Sequence, residues 1–282
     1  MRINNNITAL NTFNKYTSNT QAASKAMEKL SSGLRINRAA DDAAGLSISE
    51  KMRSQIAGLD QSNRNVEDGI SYIQTAEGAL EEVSGMLVRM KELSVEASNG
   101  TYSTEDRTNI QSEMTELANA IGEVSTTTKF NGIDVFGTAT TIAYGADASQ
   151  SVTVAAATAF TGTTVTNLKA IKVDGEGDVT IGADTKTGDE WRAVAVTTID
   201  TAIGTVNAQR ATYGAQQNKL SHIANNLSTT NENISAAESN IRDVDMASEM
   251  SEYSKNNILV QASTSMLAQA NAMPQNVLSL LQ

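Results

Sequence analysis

The sequence predicts a mainly α-helical fold, in which both ends of the chain form a long antiparallel coiled coil or helical bundle around a small β-rich insertion. Two long segments, one toward each end, carry an apolar or aromatic residue at every seventh position, the spacing of helices that pack side by side. Proline interrupts helices, and the chain has a single proline, Pro274. Between about residues 138 and 189 short runs alternate apolar and polar residues instead, which is typical of strands.

A first long helix is predicted to start at Ala43 or Ala44, with Asp41 and Asp42 as capping residues, and to end near Asn99. Four glycines inside it lower its helix propensity, and we interpret them as points of close helix approach: Gly58, Gly69, Gly78 and Gly85. Its apolar stripe has heptad spacing with intermediate half-steps: Met52, Leu59, Val66, Ile73, Leu80 and Leu87, with Ile56, Ile70, Val83 and Met90.

Two further helices are predicted to bury their stripes against the first. Ser103 and Asp106 form a capping box that starts the second helix. Its apolar residues alternate between spacings of four and three: Ile110, Met114, Leu117, Ile121 and Val124. The third helix begins near Trp191 and repeats every seven residues: Ile199, Val206, Tyr213, Leu220, Leu227, Ile234 and Ile241.

The two extreme ends also have helical patterns, but their stripes are incomplete. Apolar or aromatic residues recur at Ile3, Ile7, Leu10, Met27, Leu30 and Leu34, and again at Met250, Tyr253, Val260 and Leu267. Polar residues occupy positions where apolar ones are expected: Asn14, Thr17, Asn257 and Thr264. Each end helix is therefore expected to be marginal alone and to become ordered when it packs against further copies of the chain.

The middle of the chain is predicted to form a small, exposed β region. Alternating runs occur at 142–144, 152–154, 171–173 and 179–181, and turn signals occur at Asn131-Gly132 and across 174–177. The expected domains are a terminal coiled coil of residues 1–41 plus 243–282, a helical bundle of 42–137 plus 190–242, and a β-rich surface insertion with a hairpin at 138–189.

Composition excludes several classes of function. A formal net charge of −11 argues against nucleic acid as a partner, and the absence of 18 consecutive apolar residues argues against a membrane span. Residues 1–40 are locally basic, which a transit peptide would share, but a basic helix that meets an acidic partner within an assembly is favoured. The start of the chain has no apolar signal-peptide core, so export without cleavage is expected.

The inventory of catalytic side chains is nearly empty, and we expect no enzyme, cofactor or metal. The chain has one histidine, His222, and no cysteine. An enzyme housed in the insertion is disfavoured because 138–189 contains no histidine. Asp174, Glu176 and Asp178 resemble the start of a calcium loop, but Val179 and Thr185 stand where glycine and glutamate are required, so a hairpin turn is favoured.

Two stretches carry a family resemblance. Residues 30–80, LSSGLRINRAADDAAGLSISEKMRSQIAGLDQSNRNVEDGISYIQTAEGAL, resemble the N-terminal signature of bacterial flagellin, and INNNITALN matches the start of that family. Residues 241–281 resemble its C-terminal signature. The resemblance implies a subunit that polymerises with itself into the flagellar filament, with the terminal helices as an inner tube and the next helices as an outer tube.

The same resemblance implies partners and a location. The partners are the flagellar cap, the hook-filament junction and an export chaperone, and the chain would reach the extracellular flagellum through the flagellar type III export channel. The alternative is a hook-filament junction-like protein, or a secreted coiled-coil interaction protein such as an adhesin, that shares these ends without polymerising.

Assembly residues are expected where the terminal helix joins the long one. Arg35, Asn37, Arg38, Asp41 and Asp42 lie at this junction, and their charges could pair across an interface with two acids near the other end. These acids are Asp243 and Asp245, and two leucines of the C-terminal helix complete the expected assembly set, Leu267 and Leu280. Local capping and solvated charge form the competing interpretation.

The resemblance also implies a patch that flagellin-sensing Toll-like receptors bind, at Val88 to Glu96. Arg89 and Leu93 match the receptor-contacting residues, and Glu113 matches a supporting glutamate. Glu96 stands where many stimulatory members have glutamine, which adds a charge and removes two N–H donors. The C-terminal leucine-rich tail resembles one seen by cytosolic inflammasome sensors, although it ends in glutamine where arginine is common: Val277, Leu278, Leu280, Leu281 and Gln282.

Overall fold

In the computed structural model, the chain is built mainly from long helices, which confirms the predicted fold class. The structure describes residues 6–99, 101–145, 150–155, 166, 168, 171–173, 179–181, 184–186 and 189–280. Its long helices are α1 (Ile7–Ser32), α2 (Ala43–Ala97), α3 (Thr104–Thr127), α4 (Asp189–Arg242) and α5 (Met246–Leu280). None of the described helices is both long enough and apolar enough to cross a membrane.

The chain divides into two compact units. The terminal unit combines Met1–Ile56 with Glu232–Gln282, and the central unit is Ala57–Asn231. One boundary between the units falls inside α2 and the other falls inside α4. The domain limits expected from the sequence follow the helix junctions instead, and they stay a prediction.

The core of the central unit is formed by the predicted stripes of α2, α3 and α4. Val66, Ile73, Leu80 and Leu87 of α2 are fully buried, as the heptad spacing predicts. They pack in one cluster with the stripes of the other two helices, which include Ile110, Met114, Ile121, Ile199, Val206, Tyr213, Leu220 and Leu227. The predicted capping box is also present, because Ser103 accepts a hydrogen bond from the Asp106 N–H while the Asp106 carboxylate accepts one from the Ser103 N–H.

A tight hairpin follows α3 where the sequence predicts a turn. Strands β1 (Lys129–Phe130) and β2 (Ile133–Asp134) pair in antiparallel fashion around Asn131 and Gly132. These two residues have φ of 48° and 81°, the left-handed conformation that an Asn-Gly pair adopts readily. The turn prediction at this position is therefore confirmed.

A second hairpin consists of β3 (Thr140–Ala143) and β4 (Ser151–Val154), and it lies against the helices. Ile142, Val152 and Val154 are buried in the helical core. The expectation of an exposed knob is wrong for this hairpin, because the apolar side of each strand faces the core. The remaining strands are β5 (Lys172–Val173), β6 (Val179–Ile181) and β7 (Asp184–Lys186), which form one antiparallel sheet. The predicted turn at 174–177, with Asp174, Glu176 and Asp178, lies outside the described residues.

Gly69, Gly78 and Gly85 of α2 do not mark close approaches to another helix, whereas at Gly58 this interpretation stays a prediction. A Cβ on Gly69 would lie 2.3 Å from Cδ1 of Ile142, so this glycine admits the β3 side chain. A Cβ on Gly78 or Gly85 would meet nothing within 4 Å. The helix-approach interpretation is therefore wrong at Gly78 and Gly85, where the helix simply tolerates glycine, and at Gly69 the close neighbour belongs to a strand.

This difference predicts opposite effects for one substitution at two positions. Gly78→Ala is expected to raise the free energy of unfolding by about 0.5–1 kcal/mol, because alanine favours the helix and the site is open. Gly69→Ala is expected to lower it by about 1–3 kcal/mol, because the buried Ile142 must move. Urea denaturation of the two variants measures both effects, and an equal change in both would contradict the structure.

Candidate assembly site on the terminal helices

Helices α1 and α5 of the terminal unit pack against each other in antiparallel orientation. Nδ2 of Asn6 donates to the carbonyl oxygen of Ala270 at 2.8 Å, and Nδ2 of Asn19 donates to Oγ of Ser263 at 3.0 Å. Farther along, Lys29 and Glu249 form an ion pair at 3.6 Å. Residue numbers thus rise along one helix as they fall along the other, which brings the two ends of the polypeptide together.

The facing residues of these helices, here called the seam, are mostly small or polar. In α1 they are Ala9, Thr12, Tyr16, Asn19, Ala23 and Ala26. In α5 they are Glu249, Tyr253, Asn256, Val260, Ser263, Leu267 and Ala270. Both sets alternate between spacings of three and four, so a regular coiled-coil geometry is built from residues with little apolar area.

The seam corrects the stripes expected from the sequence. Tyr253, Val260 and Leu267 belong to it, as predicted. Four residues expected there are at least half exposed instead: Ile7, Leu10, Met27 and Met250. Four polar residues expected to interrupt the seam are exposed as well: Asn14, Thr17, Asn257 and Thr264. Several large apolar side chains therefore lie outside the seam, although Tyr253, Val260 and Leu267 lie within it.

The displaced apolar side chains form an exposed set, here called the outer surface. Val260 belongs to the seam. Ile258 precedes it by two residues, which places it about 200° around the helix, and it is 66% exposed. Leu259, Met266 and Met273 recur every seven residues on a further stripe. The outer surface consists of Ile7, Leu10, Phe13, Met27, Met246, Met250, Ile258, Leu259, Met266 and Met273. Apolar residues thus lie on more than one side of α5, and those outside the seam are exposed in the single chain.

The junction between α1 and α2 is tied to the junction between α4 and α5 by backbone hydrogen bonds. Gly33 ends α1 with φ of 71°, and its carbonyl oxygen accepts a hydrogen bond from the Val244 N–H at 3.0 Å. The Arg35 N–H donates to the carbonyl oxygen of Arg242 at 2.6 Å. Leu34 and Asp243 pair as an isolated antiparallel bridge. The expected assembly residues are therefore brought together at one place in the fold.

The two expected arginines bind other groups than the predicted acids. Nε of Arg35 donates to the carbonyl oxygen of Ile241 at 3.2 Å, and Arg38 pairs with Glu28 at 2.8 Å. Within the described part of the chain, neither arginine pairs with Asp243 or Asp245. These arginines therefore do not pair with the two acids within one chain, and the predicted pairing across an interface stays a prediction.

The acids of the junction act as hydrogen-bond acceptors that hold the backbone. Asp42 accepts from the Gly45 N–H at 2.9 Å and caps α2, as predicted. Asp41 instead accepts from the N–H groups of Asn37 and Arg38, and the Asn37 side chain donates to Ser32 Oγ. On the other side, Asp243 accepts from Oγ of Ser239, and Asp245 accepts from the N–H groups of the first turn of α5. Within one chain these acids thus act as local caps and turn-stabilising acceptors, as the competing interpretation proposes.

Two further contacts fix this junction and were missed by the sequence analysis. A Cβ on Gly45 would lie 2.8 Å from Cδ1 of Ile36, a side chain that is only 1% exposed. Arg242 pairs with Glu50 at 2.6 Å, and its guanidinium lowers the pKa of that carboxyl below its ordinary value. Neither pair lies at a recognisable sequence spacing, so no signal in the sequence could have shown them.

The predicted receptor patch lies on α2 of the central unit. Nε of Arg89 donates to Glu113 at 2.9 Å, and a second nitrogen donates to Glu92 at 3.3 Å. By accepting these hydrogen bonds, Glu113 first and then Glu92 raise the pKa of the arginine. The predicted association of Arg89 with Glu113 is therefore present. Leu93 is only 1% exposed and belongs to the core, so the expectation of an accessible leucine at this position is wrong.

The exposed side of the same stretch is a shallow surface groove lined by Val88, Lys91, Glu92, Val95 and Glu96. The Tyr102 O–H donates a hydrogen bond to Glu96, which raises the pKa of the phenol and links the patch to the turn after α2. Lys91 pairs with Asp200 of α4 at 2.6 Å, a contact between helices that the sequence analysis also missed.

The other candidate residues lie apart from these two sites. His222 is exposed on α4, beside Tyr144 and Lys219 on the surface. Leu280 is the last residue of α5, and Leu281 and Gln282 lie outside the described residues.

Paired end helices with an uncovered apolar surface define a helical structural subunit that assembles with other chains. Comparison with known proteins agrees with this class. The bacterial flagellin N-terminal helical region matches residues 3–141, and the bacterial flagellin C-terminal helical region matches residues 196–281. The chain therefore belongs to the bacterial flagellin family, and it is a structural subunit of the flagellar filament and an extracellular flagellum component.

Individual relatives match along their full length. The chain is 49% identical to the flagellin of Bacillus subtilis (strain 168) over 316 aligned residues, which cover 100% of both chains. It is 41% identical to the flagellar filament 33 kDa core protein of Treponema phagedenis, again over 100% of both. The structure of a putative flagellar hook-associated protein from Vibrio parahaemolyticus shares the fold with a TM-score of 0.55, at 10% identity, over 72% of this chain and 100% of that one.

Proposed function

We propose that copies of this chain polymerise by burying the outer surface of α1 and α5 against neighbouring subunits. The observation that carries this proposal is the reversed packing of the terminal helices, in which small and polar residues meet and large apolar ones remain exposed. Each large apolar side chain contributes about 1.5–3 kcal/mol when it is fully removed from water. A surface of ten such residues therefore provides a strong driving force for self-association.

In this proposal the domains have separate tasks. Residues 1–41 plus 243–282 form the inner tube, and residues 42–137 plus 190–242 form an outer helical layer. Residues 138–189 face the medium except for the β3–β4 hairpin, which packs in the helical core. Arg35, Asn37, Arg38, Asp41, Asp42, Asp243 and Asp245 hold the junction between the first two domains and offer charges to neighbours. The Arg38 side chain supports this role, because it remains 71% exposed while paired. Leu267 packs in the seam, and Leu280, at the last position of α5, is proposed as a further assembly residue.

Further protein partners are proposed from the same role in the filament. We propose that the flagellar cap and the hook-filament junction contact the terminal helices, and that an export chaperone covers them before passage through the flagellar type III channel without cleavage of a signal peptide. The chain has no enzymatic role in this scheme. A Toll-like receptor would meet the exposed patch of Arg89, Glu96 and Glu113 on α2, where Arg89 and Glu113 are both about half exposed.

Seeded polymerisation combined with trypsin cleavage tests the proposal. Lys15, Lys25 and Lys255 are exposed cleavage sites on the terminal helices, and Lys219 is an exposed reference site on α4. We expect cleavage at the three terminal sites in dilute subunit to slow at least about tenfold after polymerisation with salt and seeds, because helices with so little apolar seam open readily until neighbours cover them.

The readouts are the cleaved peptides, followed by mass spectrometry, and negative-stain images of the product. Long uniform tubes with protected terminal sites support the proposal. Terminal helices that resist trypsin in dilute subunit would show that their order does not depend on assembly. Seeded samples without tubes would contradict polymerisation itself and favour a junction-like protein.

A further inference from the structure

Among the described residues, all the methionines that are about half exposed lie in the terminal unit, where Met52 is half-buried. The chain has ten methionines. Five of them are 48–62% exposed, and all five belong to the terminal unit: Met27, Met246, Met250, Met266 and Met273. In the central unit, Met90 is fully buried and Met114 is 2% exposed, while Met86 is half-buried. Half of the outer surface therefore consists of thioether side chains.

Thioethers undergo a reaction that the other residues of the outer surface do not. A hydroperoxide transfers one oxygen atom to the sulfur, so that an S–O bond forms, the O–O bond breaks, the sulfur loses two electrons and the peroxide is reduced to water or an alcohol. The product, methionine sulfoxide, is polar and chiral, and it accepts hydrogen bonds. Because the chain contains no cysteine, no thiol competes for the oxidant.

The position of the methionines determines how their oxidation affects assembly. Met266 and Met273 lie with Leu259 on one stripe of α5, and Met246 and Met250 lie near the start of the same helix. In the free subunit a sulfoxide at any of these positions remains hydrated and costs little. In an assembled subunit the same oxygen would be removed from water in an apolar contact, where an unpaired polar group is strongly unfavourable.

We propose that the exposed methionines of α1 and α5 are an oxidation site that couples assembly to the presence of peroxide. Oxidation of the free subunit blocks its addition to a filament, and assembled subunits are shielded because their methionines are covered. The inference rests on the proposed burial of the outer surface. It adds a chemical modification that acts on that surface and that enzymatic reduction of the sulfoxides reverses.

The first measurement compares how fast each methionine is oxidised in the free subunit. Full-length chain is treated with hydrogen peroxide, and each methionine is followed by mass spectrometry of its peptide. The five exposed methionines are expected to oxidise at least about tenfold faster than Met90 and Met114, which are internal controls within the same molecule. Equal rates at exposed and buried positions would overturn the proposal, and so would rapid oxidation of the exposed set in finished filaments.

The second measurement is the critical concentration for seeded polymerisation. Oxidised subunit is expected to show a rise of at least about tenfold, since one unpaired polar group in an apolar contact is sufficient for that change. Treatment with methionine sulfoxide reductases should restore the original value. An oxidised subunit that polymerises as readily as the untreated one overturns the proposal, whereas failure of the untreated chain to polymerise contradicts the proposed function instead.

A variant in which all five exposed methionines are replaced by leucine separates sulfur chemistry from other damage. The quantity compared is the ratio of critical concentrations with and without peroxide, so the variant's own assembly level does not matter. We expect this ratio to stay near one. A variant that still loses assembly after peroxide would show that another group is responsible, and if the variant does not assemble at all, recovery of the oxidised wild type by the reductases decides the question.

Discussion

Ile258→Asp is expected to abolish filament formation by this chain while leaving the free subunit folded. Ile258 is 66% exposed and lies on the side of α5 opposite the seam. In the free subunit an aspartate at this position is hydrated, so the free energy of unfolding should change by no more than about 0.5 kcal/mol. In the assembled state the same carboxylate would lie in an apolar contact without a cationic partner.

The expected loss is large because an unpaired buried charge costs at least about 3 kcal/mol for each subunit. This cost raises the critical concentration more than about a hundredfold. Sedimentation of polymer after seeding measures the loss, and circular dichroism of the dilute chain checks that its helices are retained. Ile133→Asp is the matched control, because Ile133 is a similarly exposed isoleucine in β2 of the central unit.

The control variant should polymerise at the wild-type concentration. Normal polymerisation of Ile258→Asp would show that this side of α5 faces water in the filament, and the proposed interface would then have to lie elsewhere. Loss of polymerisation in both variants would point to a general effect of added negative charge on a chain whose formal net charge is already −11.

The helical core of the central unit could be predicted because its residues follow one repeat for many turns. Leu80 and Leu220 are large, apolar and in register with their heptads, and both are buried. Local signals were equally informative where one short segment determines the structure, as in the Ser103–Asp106 capping box and the Asn131–Gly132 turn. In these elements local preference and burial favour the same conformation.

The terminal seam could be predicted only in part: Tyr253, Val260 and Leu267 follow the apolar pattern, whereas most of its other contact residues are small or polar. A search for apolar residues finds Leu10 and Met250, whereas the helices meet through residues such as Asn19 and Ser263. The assumption behind the prediction was that large apolar residues face the partner helix of the same chain. That assumption does not hold for α1 and α5, where Ile7, Leu10 and Ile258 are more than half exposed in the single chain.

Contacts between distant segments form the second group that the sequence could not show. Gly69 accommodates Ile142 from a strand, and Arg242 binds Glu50 across the junction. Such pairs depend on how elements pack rather than on spacing along the chain. The same reason explains Leu93, which a motif comparison places in an exposed patch and the packing of α2 places in the core.

Leu93→Ala is accordingly expected to act on stability rather than on a surface contact. Leu93 is 1% exposed within the core of the central unit. Removing its side chain leaves a cavity, and the free energy of unfolding should fall by about 2–5 kcal/mol. Val95→Ala, two residues along the same helix, is the control, because Val95 is 55% exposed and its truncation should change stability by no more than about 0.5 kcal/mol.

Denaturant titration of both variants measures this effect, and receptor binding measured well below the unfolding transition separates it from recognition. Folded Leu93→Ala should bind a Toll-like receptor as the wild type does, whereas Arg89→Ala removes an exposed charge that pairs with Glu113 and Glu92. A folded Leu93→Ala that loses binding, with unchanged stability, would mean that α2 turns this side chain outward in the complex. The burial of Leu93 and the location of the proposed receptor patch are therefore tested by the same pair of substitutions.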